Sequence, residues 1–176
     1  MNDEAVAKAL KAGKQFEMDF ARQYRATGFE LVRLVDANRN RNPCDYFSVL
    51  PGMVCFFELK STAHDELPLI DIKQHQLESM AEYDGAAPGV HAGFIIQFRA
   101  SPENIIYYLS GEALKAYVEE KPCGGGYHAQ FLDGAYLAER GILIPTYKPT
   151  PTARKYAKMD INEFLRDLSL TDRRAS

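Results

Sequence analysis

A mixed β-sheet flanked by helices, an α/β architecture, is the fold this sequence predicts, and three observations carry it. The first two dozen residues place apolar side chains at helical spacing. Two β-prone apolar runs flank the turn Pro51-Gly52. Further strand-like runs then alternate with short helical stretches.

Taken in order, Asn2 or Asp3 caps a first helix that runs to about Tyr24, with Val6, Leu10, Gly13, Phe20 and Tyr24 as its apolar stripe, and Thr27-Gly28 ends it. Phe29 to Val35 reads as a strand, followed by the polar loop Asp36 to Pro43. Asp45 to Lys60 reads as a β-hairpin, and 61–70 as a loop containing Pro68. A second helix begins near Asp71, where Asp71 and Gln74 have capping-box spacing, and reaches about Tyr83. Gly85-Ala86-Ala87-Pro88-Gly89 breaks the chain. Ala92 to Phe98 and Asn104 to Leu109 are two more strands, joined by a turn with Pro102, and Glu112 to Glu119 is a short helix. Residues 121–158 read as irregular, with Gly124-Gly125-Gly126 and Pro145, Pro149 and Pro151. Asp160 to Leu168 is a final helix with the capping pair Asp160 and Glu163. Without internal repeats, the 176 residues predict a single domain, 1–176, with a core at about 4–120 and a C-terminal extension at about 121–176.

Composition is that of a globular protein, 46% hydrophobic and 26% charged. No apolar stretch approaches the roughly 18 residues needed to span a membrane. The start, Met1-Asn2-Asp3-Glu4-Ala5, lacks the basic and then apolar regions of a secretory signal, so the expected location is cytoplasmic, with no membrane partner. Three cysteines, Cys44, Cys55 and Cys123, form no CxxC spacing and read as unpaired thiols rather than a disulfide framework. Cys123 with His128 supplies only half of a zinc site. The net charge of −3 gives no global sign of nucleic-acid binding, but its distribution is uneven. Residues 22–41 carry Arg22, Arg25, Arg33, Arg39 and Arg41 against Glu30 and Asp36, and 140–158 carry Arg140, Lys148, Arg154, Lys155 and Lys158 with no acid.

The hairpin holds the chemistry. A two-residue loop at Pro51-Gly52 pairs Leu50 with Met53, and that register, which a four-residue loop keeps and a three- or five-residue loop would shift, sets Asp45 directly across from Glu58. Side chains alternate along a strand, so Lys60 shares the face of Glu58. Directly opposed like charges are destabilising, which calls for a cation between them, and a divalent metal fits. Two further polar residues sit on apolar helix faces. Glu17 has Gly13, Phe20, Ala21 and Tyr24 at helical spacing around it, and Gln76 lies between Ile72 and Met80. Such a patch suits phosphodiester hydrolysis. Two carboxylates hold Mg²⁺, Glu17 completes its shell directly or through water, and Lys60 stabilises the pentavalent transition state or orients the attacking water. Phe56 and Phe57 break the alternation of the strand, which predicts cover on both of its faces.

Asp45 followed by Glu58-Leu59-Lys60 resembles the PD-(D/E)xK nuclease motif, and its setting resembles the Holliday-junction resolvases, most closely the RecU type. The residues behind that likeness are Gly13-Lys14-Gln15-Phe16-Glu17 upstream, Asp45-Tyr46 and Phe57 to Thr62 on the strands, Leu67-Pro68-Leu69 and His75-Gln76 after them, and Phe94-Ile95-Ile96, Ile106 to Leu109 and Gly141 to Ile144 further on. The resemblance implies a restriction-endonuclease-like mixed central sheet. It implies Glu17, Asp45, Glu58 and Lys60 as the catalytic set with Gln76 in support, and Asp45, Glu58 and Glu17 as metal ligands. The cofactor it implies is Mg²⁺, with Mn²⁺ able to substitute, and no small-molecule cofactor. It further implies a homodimer that acts on branched DNA, a four-way junction, in recombination and repair or in phage DNA processing. Arg33, Arg39, Arg41, Lys73, Lys148, Arg154 and Lys155 are the expected DNA contacts. There are departures: the short loop Asp36 to Pro43 stands where RecU proteins have a long stalk, and Cys44 stands where the family has a small hydroxyl residue. Archaeal-type resolvases, which lack the stalk, share the Gly-x-x-Phe-Glu and Glu-x-Lys-Ser elements. Two other functions stay open, a restriction-like or recombination-associated nuclease on duplex DNA and a junction-binding protein without catalysis.

Overall fold

The computed structural model describes residues 3–35, 42–100, 104–120, 131–147 and 158–175. Its centre is a six-stranded sheet in the order β1-β2-β3-β5-β6-β8. The strands are β1 (Val32–Arg33), β2 (Tyr46–Leu50), β3 (Met53–Thr62), β5 (Val90–Phe98), β6 (Ile105–Ser110) and β8 (Ile142–Ile144). Only β3 and β5 run parallel; every other neighbouring pair is antiparallel, so the sheet is mixed. Two small two-stranded ribbons lie apart from it, β4 (Leu67–Pro68) with β7 (Phe131–Leu132), and β9 (Thr146–Tyr147) with β10 (Lys158–Met159).

The hairpin forms in the register expected of it. Leu50 pairs with Met53 and Tyr46 with Phe57, and continuing that register sets Asp45 across from Glu58. Gly52 takes a φ of 75°, a conformation that glycine adopts without the penalty a Cβ brings.

Helices cover both faces. Across one lie α1 (Asp3–Arg25) and α5 (Ile161–Ala175), whose Phe16, Phe20, Tyr24, Phe164 and Leu168 pack with Phe57 and Tyr108 of the sheet. The ring contacts Phe20–Phe57 and Tyr108–Phe164, with centroids 5.7 Å and 5.6 Å apart, knit that layer together. Across the other face lie α2 (Gln74–Tyr83), α3 (Gly111–Glu120) and α4 (Gly134–Arg140), which bury Leu77, Met80, Leu114, Tyr117 and Leu137 against Phe94, Ile96 and Leu109. The β3 strand is therefore covered on both sides, as its adjacent phenylalanines suggest.

Several elements differ from their sequence expectation. The core stripe of α1 starts at Phe16, and Leu10 is 64% exposed, because helical spacing tells which face points inward but not how much of it the sheet covers. Asp19, which the pattern did not single out, is buried on α1 and accepts from Gln15 Nε2 at 3.1 Å and Arg22 Nη2 at 2.7 Å. The strand at Phe29 to Val35 shrinks to Val32–Arg33. Asp71 does not cap α2; it ends a 3₁₀ turn over Leu69–Asp71, and Lys73 takes the cap position with no side-chain bond. The stretch read as irregular supplies α4, capped by Asp133 accepting from Tyr136 N–H at 2.7 Å, and then β8, which pairs with β6. The last helix is longer than expected, and Asp160 caps it as its spacing predicts, accepting from Glu163 N–H at 3.0 Å. Cys44 and Cys55 are buried thiols outside any disulfide among the described residues, while Cys123 and His128 lie outside the described residues. Among the described residues, no helix is long and apolar enough to cross a membrane.

Candidate active site

Asp45, at the entry to β2, is fixed at three points. Its N–H donates to Phe57 O at 3.1 Å, its carbonyl accepts from Leu34 N–H at 2.9 Å, and its Oδ2 accepts from Leu59 N–H at 2.8 Å. The side chain thereby takes up a backbone donor of β3 and is held against that strand. Across from it, Glu58 is only 3% exposed. Its Oε1 lies 2.9 Å from Lys60 Nζ, whereas Oε2 is buried with no hydrogen-bond partner among the described residues. Lys60 Nζ also donates to Gln76 Oε1 at 3.3 Å, which ties α2 to the strand. Gln76 is buried, so its inward place on the helix stripe is realised as this contact.

Glu17 reaches the same region from α1 and is half-buried, paired with Arg33 Nη2 of β1 at 3.0 Å. Burial, and then the negative charge of Asp45, push its carboxyl up; Arg33, Lys14 and Lys60 oppose that rise. Lys14, one turn before Glu17 on the same helix face, is a neighbour that sequence reading quoted without giving it a role. Its i−3 spacing was the available signal.

Burial dominates Glu58 as well and pushes its carboxyl up to about 7, with the Lys60 ammonium pulling it back and Asp45 adding to the rise. Cys44 lies beside this pair, its Sγ donating to Tyr46 O at 3.3 Å. Its thiol is pushed up to about 12 by burial and by the charges of Glu58 and Asp45, which leaves it an unreactive thiol at neutral pH.

The five residues expected of the site thus come together: Asp45, Glu58, Lys60, Gln76 and Glu17. Glu58, Lys60 and Gln76 form one bonded string, and Asp45 and Glu17 stand beside it with partners of their own. Lys60 compensates Glu58, Leu59 N–H compensates Asp45, and Arg33 compensates Glu17. Among the described residues, no three His, Cys, Asp or Glu side chains gather as metal ligands. Of the expected DNA contacts, Arg33 is exposed but engaged with Glu17, and Lys73 is exposed at the start of α2. Arg39, Arg41, Lys148, Arg154 and Lys155 lie outside the described residues.

Comparison with known proteins adds three findings. The model of a family described as recombination protein U matches residues 33–149. No curated protein matches the chain. Among solved structures it is similar to Archaeoglobus fulgidus Hjc, a Holliday junction resolvase from an archaeal hyperthermophile, at 15% identity and a TM-score of 0.49, over 74% of this chain and 95% of that one.

Proposed function

This chain belongs to the recombination protein U family, and from that premise we propose that it is a metal-dependent, structure-selective DNA endonuclease that resolves four-way junctions by paired phosphodiester hydrolysis. The observation that carries the catalytic half of this reading is the state of Glu58. A buried carboxylate with one oxygen unpartnered, facing Asp45 and touching a lysine, is costly to a fold that has no use for it.

That orphaned oxygen also answers whether a metal fits. Mg²⁺ is bound by one or two carboxylates, keeping several waters and taking the rest of its shell from substrate phosphate, so Asp45 and Glu58 suffice as a protein donor set without a third acid. Glu17 would contribute through water. Bound there, Mg²⁺ supplies Lewis-acid polarisation of the phosphate and acidification of a coordinated water. The chain's own groups do the remainder. Asp45 is fixed by the Leu59 amide and Glu58 by its burial in β3, so both carboxylates are held in place before substrate arrives. Lys60 brings a positive charge to where the pentavalent phosphate gathers negative charge. Gln76 Oε1 sets the direction of that ammonium.

Junction resolution calls for two symmetric incisions, which a two-fold dimer supplies. Purified protein incubated with labelled four-way junction, with Mg²⁺ added or withheld, tests the reading: paired nicks are expected only with the metal. Equal cleavage of a linear duplex would leave a nuclease but remove the junction preference. Retained cleavage in Glu58→Gln would remove this cluster from the chemistry.

A further inference from the structure

The carboxyl ends of β3 and β5 hold a second cationic group that the catalytic cluster does not use. The two strands pair Ser61 with Gln97 and Thr62 with Phe98, and just past them Arg99 N–H donates to Thr62 O at 3.0 Å. Alternation turns Ser61 to the face of the sheet opposite Lys60. There Arg99 Nε donates to Ser61 Oγ at 3.0 Å, and Ser61 Oγ donates to Gln97 Oε1 at 2.9 Å. A hydroxyl has one proton. With that proton committed to Gln97, the Ser61 lone pairs face Arg99, so the string has a fixed sense that ends on the guanidinium.

The guanidinium differs from most of its counterparts. Arg22, Arg33, Arg140 and Arg166 each pair with a carboxylate, and Arg25 Nη2 donates to Leu31 O at 2.8 Å. Among the described residues, the half-buried Arg99 side chain is anchored through Nε alone and has no acid partner. Holding a long side chain in one geometry costs rotamer entropy, and no ion pair among those residues offsets it. What the arrangement provides is an oriented pair of terminal nitrogens, the fork that matches a phosphate bidentately. Its place is suited to a ligand as well: in open α/β sheets, ligands bind outside the carboxyl ends of parallel strands, and β3 with β5 is the parallel pair of this sheet. Lys60 and Ser61 are consecutive, so their Cα atoms lie about 3.8 Å apart. The two cations therefore flank one end of the sheet, one on each face.

We propose that Arg99, oriented by Ser61 and Gln97, binds a backbone phosphate of the DNA next to the one presented to Lys60. Arg99 is then a substrate-binding residue, and Ser61 and Gln97 are positioning residues that act through it. The assignment rests on the nuclease reading for its substrate, but it is tested by binding rather than by cleavage.

The experiment is equilibrium binding of a synthetic four-way junction in EDTA, so that nothing is cut, across a series of KCl concentrations. Arg99→Gln is expected to weaken binding roughly tenfold and to lower the slope of log K against log[KCl] by about 0.9, the share of one phosphate. Arg99→Lys keeps the slope. Ser61→Ala keeps the charge and therefore the slope, yet weakens binding severalfold, and the double variant binds no worse than Arg99→Gln alone. Thermal melts identify folded variants; should Arg99→Gln not fold, Arg99→Met carries the same comparison. A wild-type slope and affinity in the charge-removing variant overturns the clamp. Additive losses in the double variant overturn the positioning role of Ser61. A wild-type protein that binds junction but cuts no DNA overturns the nuclease reading and leaves the clamp standing if the slope still falls. A wild-type protein that binds no DNA overturns both.

Discussion

Glu58 concentrates the physics of the site in one side chain. Its folded-state acidity is shifted up to about 7 from an ordinary value near 4.5, chiefly by burial. The folded protein therefore holds a proton that the unfolded chain has released between those two pH values. Stability contributed by this group is present below pH 4.5 and is lost as pH rises through about 7, by an amount on the order of 3 kcal/mol. The expected outcome is that the melting-temperature difference between wild type and Glu58→Gln, in metal-free buffer, moves against the wild type from pH 5 to pH 8. Adding Mg²⁺ should reverse it, and more strongly at pH 8, because the metal takes the ionised form. Thermal melts across that series check both statements, and a difference that does not change with pH contradicts them. Lys60→Met should slow junction cleavage by about 10² or more, the usual loss for one group that stabilises developing charge, with metal-free binding much less affected. Gln76→Ala should follow it more weakly, since it only orients the ammonium. At this scale much was legible in the sequence. Period two along a strand places Glu58 and Lys60 on one face whatever surrounds them, and Pro51-Gly52 sets Asp45 opposite. What alternation does not carry is which group neutralises which: the facing acids called for a cation, and the fold answers part of that need with Lys60 and the Leu59 amide.

Among the elements, those with strong local signals were read closely and those that depend on partners were not. The hairpin, α2, β5, β6 and α3 fall within a few residues of expectation because a turn, a capped helix or an apolar run marks each end. The β1 strand is shorter than its apolar run, since a strand extends only as far as its neighbour pairs with it, and β2 accepts two residues of β1. The Asp71 and Gln74 spacing read as a capping box, but the chain enters α2 from a 3₁₀ turn that carries Asp71 away from the cap. Between Gly124 and Pro151 the glycines and prolines masked a short helix whose own signals were present, Asp133 before it and Gly141 after it. Asp133→Ala should destabilise the protein by about 1 kcal/mol, through the lost cap. Denaturant unfolding measures this, and a change under a few tenths of a kcal/mol would show that α4 does not depend on its cap. Gly111→Ala should cost more than an ordinary helix-start substitution, because a Cβ there runs into the backbone of Met80 and Ala81 where α3 crosses α2. The same melts should show a lower transition with junction cleavage retained at low temperature.

For the whole molecule, the question is how one site becomes two matched incisions. If the protein acts as a two-fold dimer, mixing wild-type and Glu58→Gln subunits should yield junctions nicked on one strand, in proportion to the mixed species. Denaturing gels of both labelled strands give that count, and nicks that stay strictly paired in the mixture would argue against independent sites in a dimer. The fold itself explains how the cluster is assembled. Asp45 and Glu58 are brought together by one hairpin, but Gln76 arrives only because α2 packs on the face that carries Lys60, and Glu17 only because α1 packs on the sheet within reach of Arg33 on β1. By itself the sequence determined the α/β class, the hairpin and, given a two-residue turn, the facing of Asp45 and Glu58, since each rests on periodicity and on residues close together in the chain; the resemblance that names the family rests instead on motifs spread from Gly13 to Ile144. Only the tertiary structure decided that Glu58 is buried with one oxygen unpartnered, that Lys60 bridges it to Gln76, that Arg33 holds Glu17, and that β8 closes the sheet beside β6. Each of these depends on which surfaces meet. Burial and partnership belong to the packed layers, and no local pattern of residues carries them.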